Sequence, residues 1–202
     1  MFEFYFTSLN INVKIIMVIY MRVISGELKG RIIKGFTLEG TRPTMDRVKE
    51  SIFSSIQLKV PNSICLDLFA GSGSLGIEAI SNGASKCYFV DCNKEAIKVL
   101  NENINNFNIN SNTIIIKNDY LQALNDFKNK NIKFDIIFLD PPYMLHILND
   151  ILKFISSNNL LKDDGIVICE VDNNYLEQEI GNLIQYKDKK YGTTFVYYYA
   201  KK

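Results

Sequence analysis

Histidine is almost missing from this chain: His146 is the only one in 202 residues. A histidine-based triad or zinc site therefore has little to build on. Tryptophan is absent, and the four cysteines, Cys65, Cys87, Cys92 and Cys169, form no CxxC pair. Three of them lie inside apolar runs, which argues against a metal or disulfide framework and fits a reducing cytoplasm. Net charge is nearly lacking as well, at +1, so the total says nothing about a polyanionic partner. Long apolar runs are missing too. The longest clean one near the start, Ile15–Met21, is far too short to span a bilayer. Residues 1–20 also lack a basic leader and a small-residue cleavage site, so they make a poor signal peptide. They read as an extra strand, or as an upstream start before a true start at Met21. Neither a membrane nor a metal is expected.

What is present is ordinary for a globular protein: 47% hydrophobic and 22% charged residues. The length suits one domain with a small appendage. Charge is unevenly placed. Residues 21–59 hold eight cations (Arg22, Lys29, Arg31, Lys34, Arg42, Arg47, Lys49 and Lys59) against four anions, a net of +4. A basic N-terminal part on a mildly acidic body suggests a patch for phosphates.

From residue 62 onward, short apolar runs alternate with amphipathic stretches. Strands are predicted at Ile64–Phe69, Cys87–Val90, Thr113–Lys117, Phe134–Leu139 and Gly165–Glu170. Helices are predicted at Leu75–Asn82, Lys94–Asn106, Leu121–Phe127 and Leu145–Ser157, with a further helix at Tyr175–Ile180. Two last strands, near Leu183–Tyr186 and Thr194–Tyr199, follow without a long helix between them and read as a hairpin. Alternation of this kind means a doubly wound α/β fold of Rossmann-like type. We expect a mostly parallel seven-stranded sheet with an antiparallel edge strand. Before it, Arg22–Phe36 reads as a small β-hairpin and Asp46–Leu58 as a helix. The chain thus divides into an extension (1–20), a hairpin-and-helix unit (21–60) and a core (61–202).

The first informative site is Asp67-Leu68-Phe69-Ala70-Gly71-Ser72-Gly73-Ser74-Leu75-Gly76. It follows a strand, opens a helix and satisfies GxGxxG, and Asp91 ends the next strand twenty residues after Gly71. That spacing also suits a dinucleotide. Asp67 separates the two readings. A carboxylate there repels a pyrophosphate, whereas it attracts the ammonium and sulfonium of S-adenosyl-L-methionine. The electrostatics favour the methyl donor and leave the dinucleotide as the rival.

The second site is Asp140-Pro141-Pro142-Tyr143, at the end of the fourth core strand. An exocyclic base amine is a poor nucleophile, because its lone pair is delocalised into the ring. Acceptors on its N–H groups draw that pair out of conjugation. Asp140 supplies a carboxylate and Pro141 a carbonyl. The two prolines hold that carbonyl rigidly, and Tyr143 offers a ring on which a base can stack.

These residues resemble the Rossmann-like amino-methyltransferases. More narrowly, the chain resembles the ribosomal RNA small-subunit methyltransferase D family, which methylates a guanine N2 of 16S ribosomal RNA. The narrower markers are Arg22-Val23-Ile24-Ser25-Gly26 with Lys29-Gly30-Arg31, Arg42-Pro43-Thr44-Met45-Asp46-Arg47-Val48-Lys49-Glu50, and Tyr191-Gly192-Thr193-Thr194. Family members commonly carry Thr where Met45 stands and often Glu where Asp91 stands; residues 1–20 lie outside the resemblance.

The resemblance implies roles. Asp67 and the loop Phe69, Ala70, Gly71, Ser72 and Gly73 face the methionine part of the cofactor, Asp91 holds the ribose hydroxyls, and Asn118 and Asp119 flank the adenine. For Asp119 a helix-terminal carboxylate is the competing reading. Arg22, Lys29, Arg31, Arg42 and Arg47 contact RNA phosphates, which position a substrate without reading its sequence. The implied partner is ribosomal RNA, within a small subunit or its assembly intermediate. Three rivals stand beside this reading: a DNA adenine or cytosine amino-methyltransferase, a nicotinamide-dependent dehydrogenase, and a non-catalytic nucleic-acid-binding protein on a methyltransferase fold.

Overall fold

The computed structural model describes residues 20–35, 46–141, 147–172 and 176–202. In chain order these form β1 (Tyr20–Arg22), β2 (Ile32–Lys34), α1 (Asp46–Ile56), β3 (Ile64–Asp67), α2 (Ser74–Ser81), β4 (Lys86–Asp91), α3 (Lys94–Phe107), β5 (Thr113–Lys117), α4 (Tyr120–Asn129), β6 (Phe134–Leu139), α5 (Leu148–Ser157), β7 (Leu161–Val171), β8 (Glu179–Ile180), β9 (Leu183–Tyr191) and β10 (Thr194–Lys201). The extension expected over residues 1–20 lies outside the described residues except for Tyr20, which pairs with Lys34 in the hairpin.

Strands β3 to β10 build one sheet in the order β5-β4-β3-β6-β7-β10-β9-β8. The first five are parallel, and β10 then runs antiparallel between β7 and β9. The Rossmann-like expectation holds, but the sheet has eight strands among the described residues, not seven. The eighth is β8, where a helix is predicted over Tyr175–Ile180. Glu179 and Ile180 instead pair with Ile184 and Leu183 across a turn at Gly181 (φ 59°). Asn182 fastens that turn by donating its backbone N–H to Ser156 Oγ at 2.9 Å. Backbone pairing at a sheet edge, together with docking on α5, overrides a helical pattern only a few residues long.

Period-two alternation divides the apolar residues between the two faces of the sheet. Cys65, Cys87, Phe89, Ile136, Phe138, Ile166, Ile168 and Tyr198 pack with α1, α2 and α3. Leu66, Val90, Ile137, Leu139, Val167, Tyr197 and Tyr199 pack with α4 and α5. Left-handed corners outside glycine fall at Asn62, Asn108, Asn131 and Asn159, the side chain that best tolerates that region.

β1 and β2 form a separate two-stranded sheet. Its connecting loop is docked on α2 through a buried carboxylate. Glu78 accepts from Ile24 N at 2.9 Å, from Ser25 N at 2.8 Å and from Ser25 Oγ at 3.0 Å. Lys49 of α1, fully buried, donates to Glu78 Oε2 at 3.3 Å and to the Arg22 carbonyl at 2.6 Å. Burial pulls the Lys49 pKa down, and the Glu78 carboxylate opposes that shift. Gly26 (φ 79°) makes the close approach possible, since a Cβ there would stand 1.9 Å from the Ser81 carbonyl oxygen.

Candidate functional site

The parallel strands all end at one edge, and the acidic residues gather there. Asp67 ends β3, in register with Phe89 of β4 and Phe138 of β6. Asp91 ends β4 two residues further on, and Asp140 follows β6 directly. Since β3 lies between β4 and β6, the glycine loop leaving β3 has Asp91 on one side and Asp140 on the other.

Asp67 is buried beneath the loop and accepts from Gly76 N at 3.0 Å. Burial pushes its pKa up to about 7; the Gly76 bond opposes the shift, while Asp140 and Asp91 add to it. Asp91 is only partly buried. Its two oxygens accept from Gly71 N and Asn93 N, each at 2.8 Å. Burial raises its pKa, and those two bonds oppose the rise. The two carboxylates therefore organise the loop from below and from the side.

The loop itself is built from left-handed glycines, Gly71 at φ 55° and Gly73 at φ 88°. Gly76 serves packing instead. A Cβ there would meet a Phe89 ring carbon at 2.2 Å, so this third glycine lets α2 lie against β4. On the α3 side, Asn103 donates to the Ser72 carbonyl and to the Lys34 carbonyl, both at 2.9 Å. Phe69 stacks at a tilt on Tyr120, ring centroids 5.7 Å apart. Ala70, Ser72 and Gly73 are buried, and Gly71 is half-buried.

The other predicted residues separate into groups. Asp119 is the N-cap of α4, accepting from Leu121 N at 2.9 Å, which supports the helix-terminal reading of that carboxylate. Asn118 turns its side-chain oxygen to Asp119 N at 2.9 Å. Both follow β5 at the same edge of the sheet as Asp91. Pro141 is buried, while Pro142 and Tyr143 lie outside the described residues.

The basic patch needs correcting. Lys49 is buried against Glu78 and is no surface cation. Arg31 lays its guanidinium over the Phe107 ring, 4.5 Å from the centroid, and donates to the carbonyls of Asn106 and Phe107. Arg22 pairs with Asp46 at 2.8 Å, and Lys34 with Glu102 at 2.5 Å. Lys29 and Arg47 are exposed; Arg42 falls outside the described residues. Much of the basic N-terminal charge thus attaches the hairpin and α1 to the core.

Sequence reasoning missed Glu78 and Asn103. Each carried a signal: a carboxylate in the otherwise apolar helix Ser74–Ser81, and an amide on the apolar stripe of α3. A buried polar group needs partners, and here the partners are the hairpin and the loop.

The donor set suits a cationic ligand with a vicinal diol. Carboxylates line the sheet edge, and the left-handed glycines bring backbone close to a ligand. A pyrophosphate at that edge would face the partly exposed carboxylates of Asp91 and Asp140, with Asp67 beneath. Among the described residues no cluster of three metal-ligating side chains occurs, and no helix is long and apolar enough to cross a membrane.

Comparison with known proteins agrees with this geometry. Residues 21–200 match the model of the family described as Conserved hypothetical protein 95. A Bacillus subtilis protein, YlbH, provisionally named an rRNA methyltransferase, is 40% identical over 183 residues, covering 90% of this chain and 100% of its own. The Ribosomal RNA small subunit methyltransferase D of Haemophilus influenzae is 35% identical over 153 residues, 75% of this chain and 79% of its own. Among solved structures, the Escherichia coli protein yhhF, provisionally named a methyltransferase, superposes with a TM-score of 0.77 at 26% identity, covering 91% of this chain and 98% of its own.

Proposed function

Because the chain belongs to the Conserved hypothetical protein 95 family and shares that membership with ribosomal RNA small subunit methyltransferase D proteins, we propose that it transfers a methyl group from S-adenosyl-L-methionine to the N2 amine of a guanine in 16S ribosomal RNA. The observation that carries the reading is the placement of Asp140. It directly follows β6, the strand next to β3, so it borders the glycine loop, and Pro141 behind it is buried. The cofactor supplies an electrophilic methyl on a sulfonium.

The chain's own residues do the rest. Gly71 and Gly73 leave room for the methionine part, and Asp67 beneath them favours its positive charge. Asp91 has lone pairs left over for ribose hydroxyls. Asn118 and Asp119 border the adenine side. Asp140 and the Pro141 carbonyl accept from the amine and turn its lone pair toward the methyl, and Tyr143 stacks on the base. Alignment of amine, methyl and sulfur is the main catalytic contribution. Residues 21–60 form the RNA-facing unit, with Lys29, Arg42 and Arg47 as phosphate contacts.

The test is methylation of 16S ribosomal RNA by the purified protein, with nucleoside mass spectrometry of the product. N2-methylguanosine is expected; N6-methyladenosine formed only in DNA would reject the reading. Asp140→Ala should reduce turnover by on the order of a hundredfold or more while cofactor affinity stays within error. Turnover at the wild-type rate would remove Asp140 from the chemistry.

A further inference from the structure

Strand β9 carries a feature that the methyl-transfer site does not use. Its sequence Tyr186-Lys187-Asp188-Lys189-Lys190 places three lysines within four residues. Alternation sends them to different faces. Asp188 stands opposite Tyr197 and Lys190 opposite Phe195, with the Lys190 ammonium 4.9 Å from the Phe195 centroid. Lys187 stands opposite Tyr198 and Lys189 opposite Val196, on the α1 face.

On that face the lysine partners are neutral. Lys189 Nζ donates to Ser51 Oγ at 2.8 Å and Ser55 Oγ at 3.3 Å, and Lys187 Nζ donates to Ser55 Oγ at 2.9 Å. The serines lie one helical turn apart on α1, and Arg47 lies one turn before Ser51 on the same stripe. Two adjacent ammonium groups thus sit on hydroxyls, which orient them without cancelling their charge. If they served only to pin β9 to α1, a carboxylate on α1 would hold them better. The Lys187 pKa is drawn down by partial burial and further by Lys189.

A register shift adds an aromatic group. Between Tyr198 and Tyr199 of β10 the pairing on β9 jumps from Lys187 to Gln185, leaving Tyr186 as the extra residue of a β-bulge. Its half-exposed ring lies at a tilt to Tyr198, centroids 6.1 Å apart, beside Lys187. An exposed ring next to two uncompensated cations is the composition of a surface that takes a base and its phosphates.

The register carries this face toward the same sheet edge that holds Asp140. Lys189 is aligned through Val196 with Glu170 of β7, and Glu170 is one residue past the Leu139–Cys169 pair that precedes Asp140. Three interstrand steps separate β9 from β6, roughly 14 Å at the usual spacing. A polynucleotide with one base at Asp140 crosses that distance within a few nucleotides.

We infer that Lys187, Lys189 and Tyr186 form a second RNA-contacting strip on the β9–α1 face, where the lysines hold phosphates flanking the target nucleotide and Tyr186 stacks on a neighbouring base. The inference rests on the reading of the protein as an RNA methyltransferase, and it moves substrate docking partly away from the N-terminal hairpin.

The test is binding of a full-length 16S ribosomal RNA transcript at several salt concentrations, with cofactor affinity and melting temperature measured on the same preparations. Lys187→Gln with Lys189→Gln should weaken binding and flatten the log–log salt slope by roughly 1.4 to 1.8, with cofactor affinity unchanged. Tyr186→Ala should weaken binding by about fivefold or more at every salt concentration. Lys128→Gln with Lys130→Gln, which removes two exposed cations from the end of α4, should leave the slope as it is. An unchanged slope in the β9 variant, or an equal loss in the α4 variant, overturns the strip. If the double glutamine variant melts early, Lys187→Gln and Lys189→Gln singly decide: each should flatten the slope by roughly 0.7 to 0.9, and an unchanged slope in both overturns the strip. Wild-type protein that neither binds nor methylates the RNA, as free transcript or assembled in a small subunit, rejects the methyltransferase reading itself. Wild-type methylation with a β9 variant of unchanged slope rejects the strip alone.

Discussion

At the scale of the residue, Asp67 shows how one side chain couples folding to ligand. In the free protein its pKa stands near 7, raised first by burial and then by its acidic neighbours, against about 4 in an unfolded chain. The native state therefore holds a proton that the unfolded state has already released between about pH 4 and pH 7, so this group's contribution to stability falls as pH rises through that window. A cationic ligand favours the ionised form. Cofactor affinity is accordingly expected to rise from about pH 6 to about pH 8 in wild type, and to lose that pH dependence in Asp67→Asn. Calorimetry across the range measures both. An affinity in wild type that is flat with pH would show that Asp67 does not sense the ligand's charge.

At the scale of the element, a buried ion pair joins the N-terminal hairpin to α1 and α2. Glu78 accepts from the backbone of Ile24 and Ser25, and Lys49 ties α1 to the same point. Removing one partner of such a pair leaves an uncompensated buried charge. Glu78→Ala should thus cost about 3–5 kcal/mol of stability. Denaturant unfolding checks this, with Lys34→Gln as the comparison, since the Lys34–Glu102 pair is exposed to solvent and should cost far less to break. Equal effects of the two substitutions would show that the hairpin is held by its apolar contacts, Val23 and Ile33, instead.

At the scale of the whole molecule, the order β5-β4-β3-β6-β7 sets where a ligand can sit. The cofactor loop after β3 and the Asp140 segment after β6 are far apart in sequence but come from adjacent strands. A ligand held there touches several strand ends at once and so stabilises the folded state by mass action. S-adenosyl-L-methionine or its demethylated product at about a hundred times its dissociation constant should add about 2.7 kcal/mol. For a chain of this size that is a melting shift of roughly 5–10 °C. A nicotinamide dinucleotide should give none. Thermal-shift measurements with the three ligands decide, and the reverse pattern would revive the dehydrogenase reading.

Much of this protein is determined by local pattern alone. The strands Thr113–Lys117 and Phe134–Leu139 are predicted and found with the same bounds, because a short apolar run between turn residues suits a parallel strand, half-buried at the sheet edge in the first case and buried at its centre in the second. The glycine loop and Asp140-Pro141 are legible for a similar reason: both chemistries need particular residue types in contiguous positions. Other features depend on which elements meet. Lys49 looks like a surface cation until α1 is laid against Glu78, and Arg31 looks like a phosphate contact until its guanidinium is seen over Phe107. β8 becomes a strand only through its hydrogen bonds to β9. The β9 lysines show the same dependence most plainly. Sequence gives them a charge, but only the bulge opposite Tyr198 and the serines of α1 decide which face they share and leave that charge for a partner, because burial and pairing are properties of the contacts a residue makes and not of the residue.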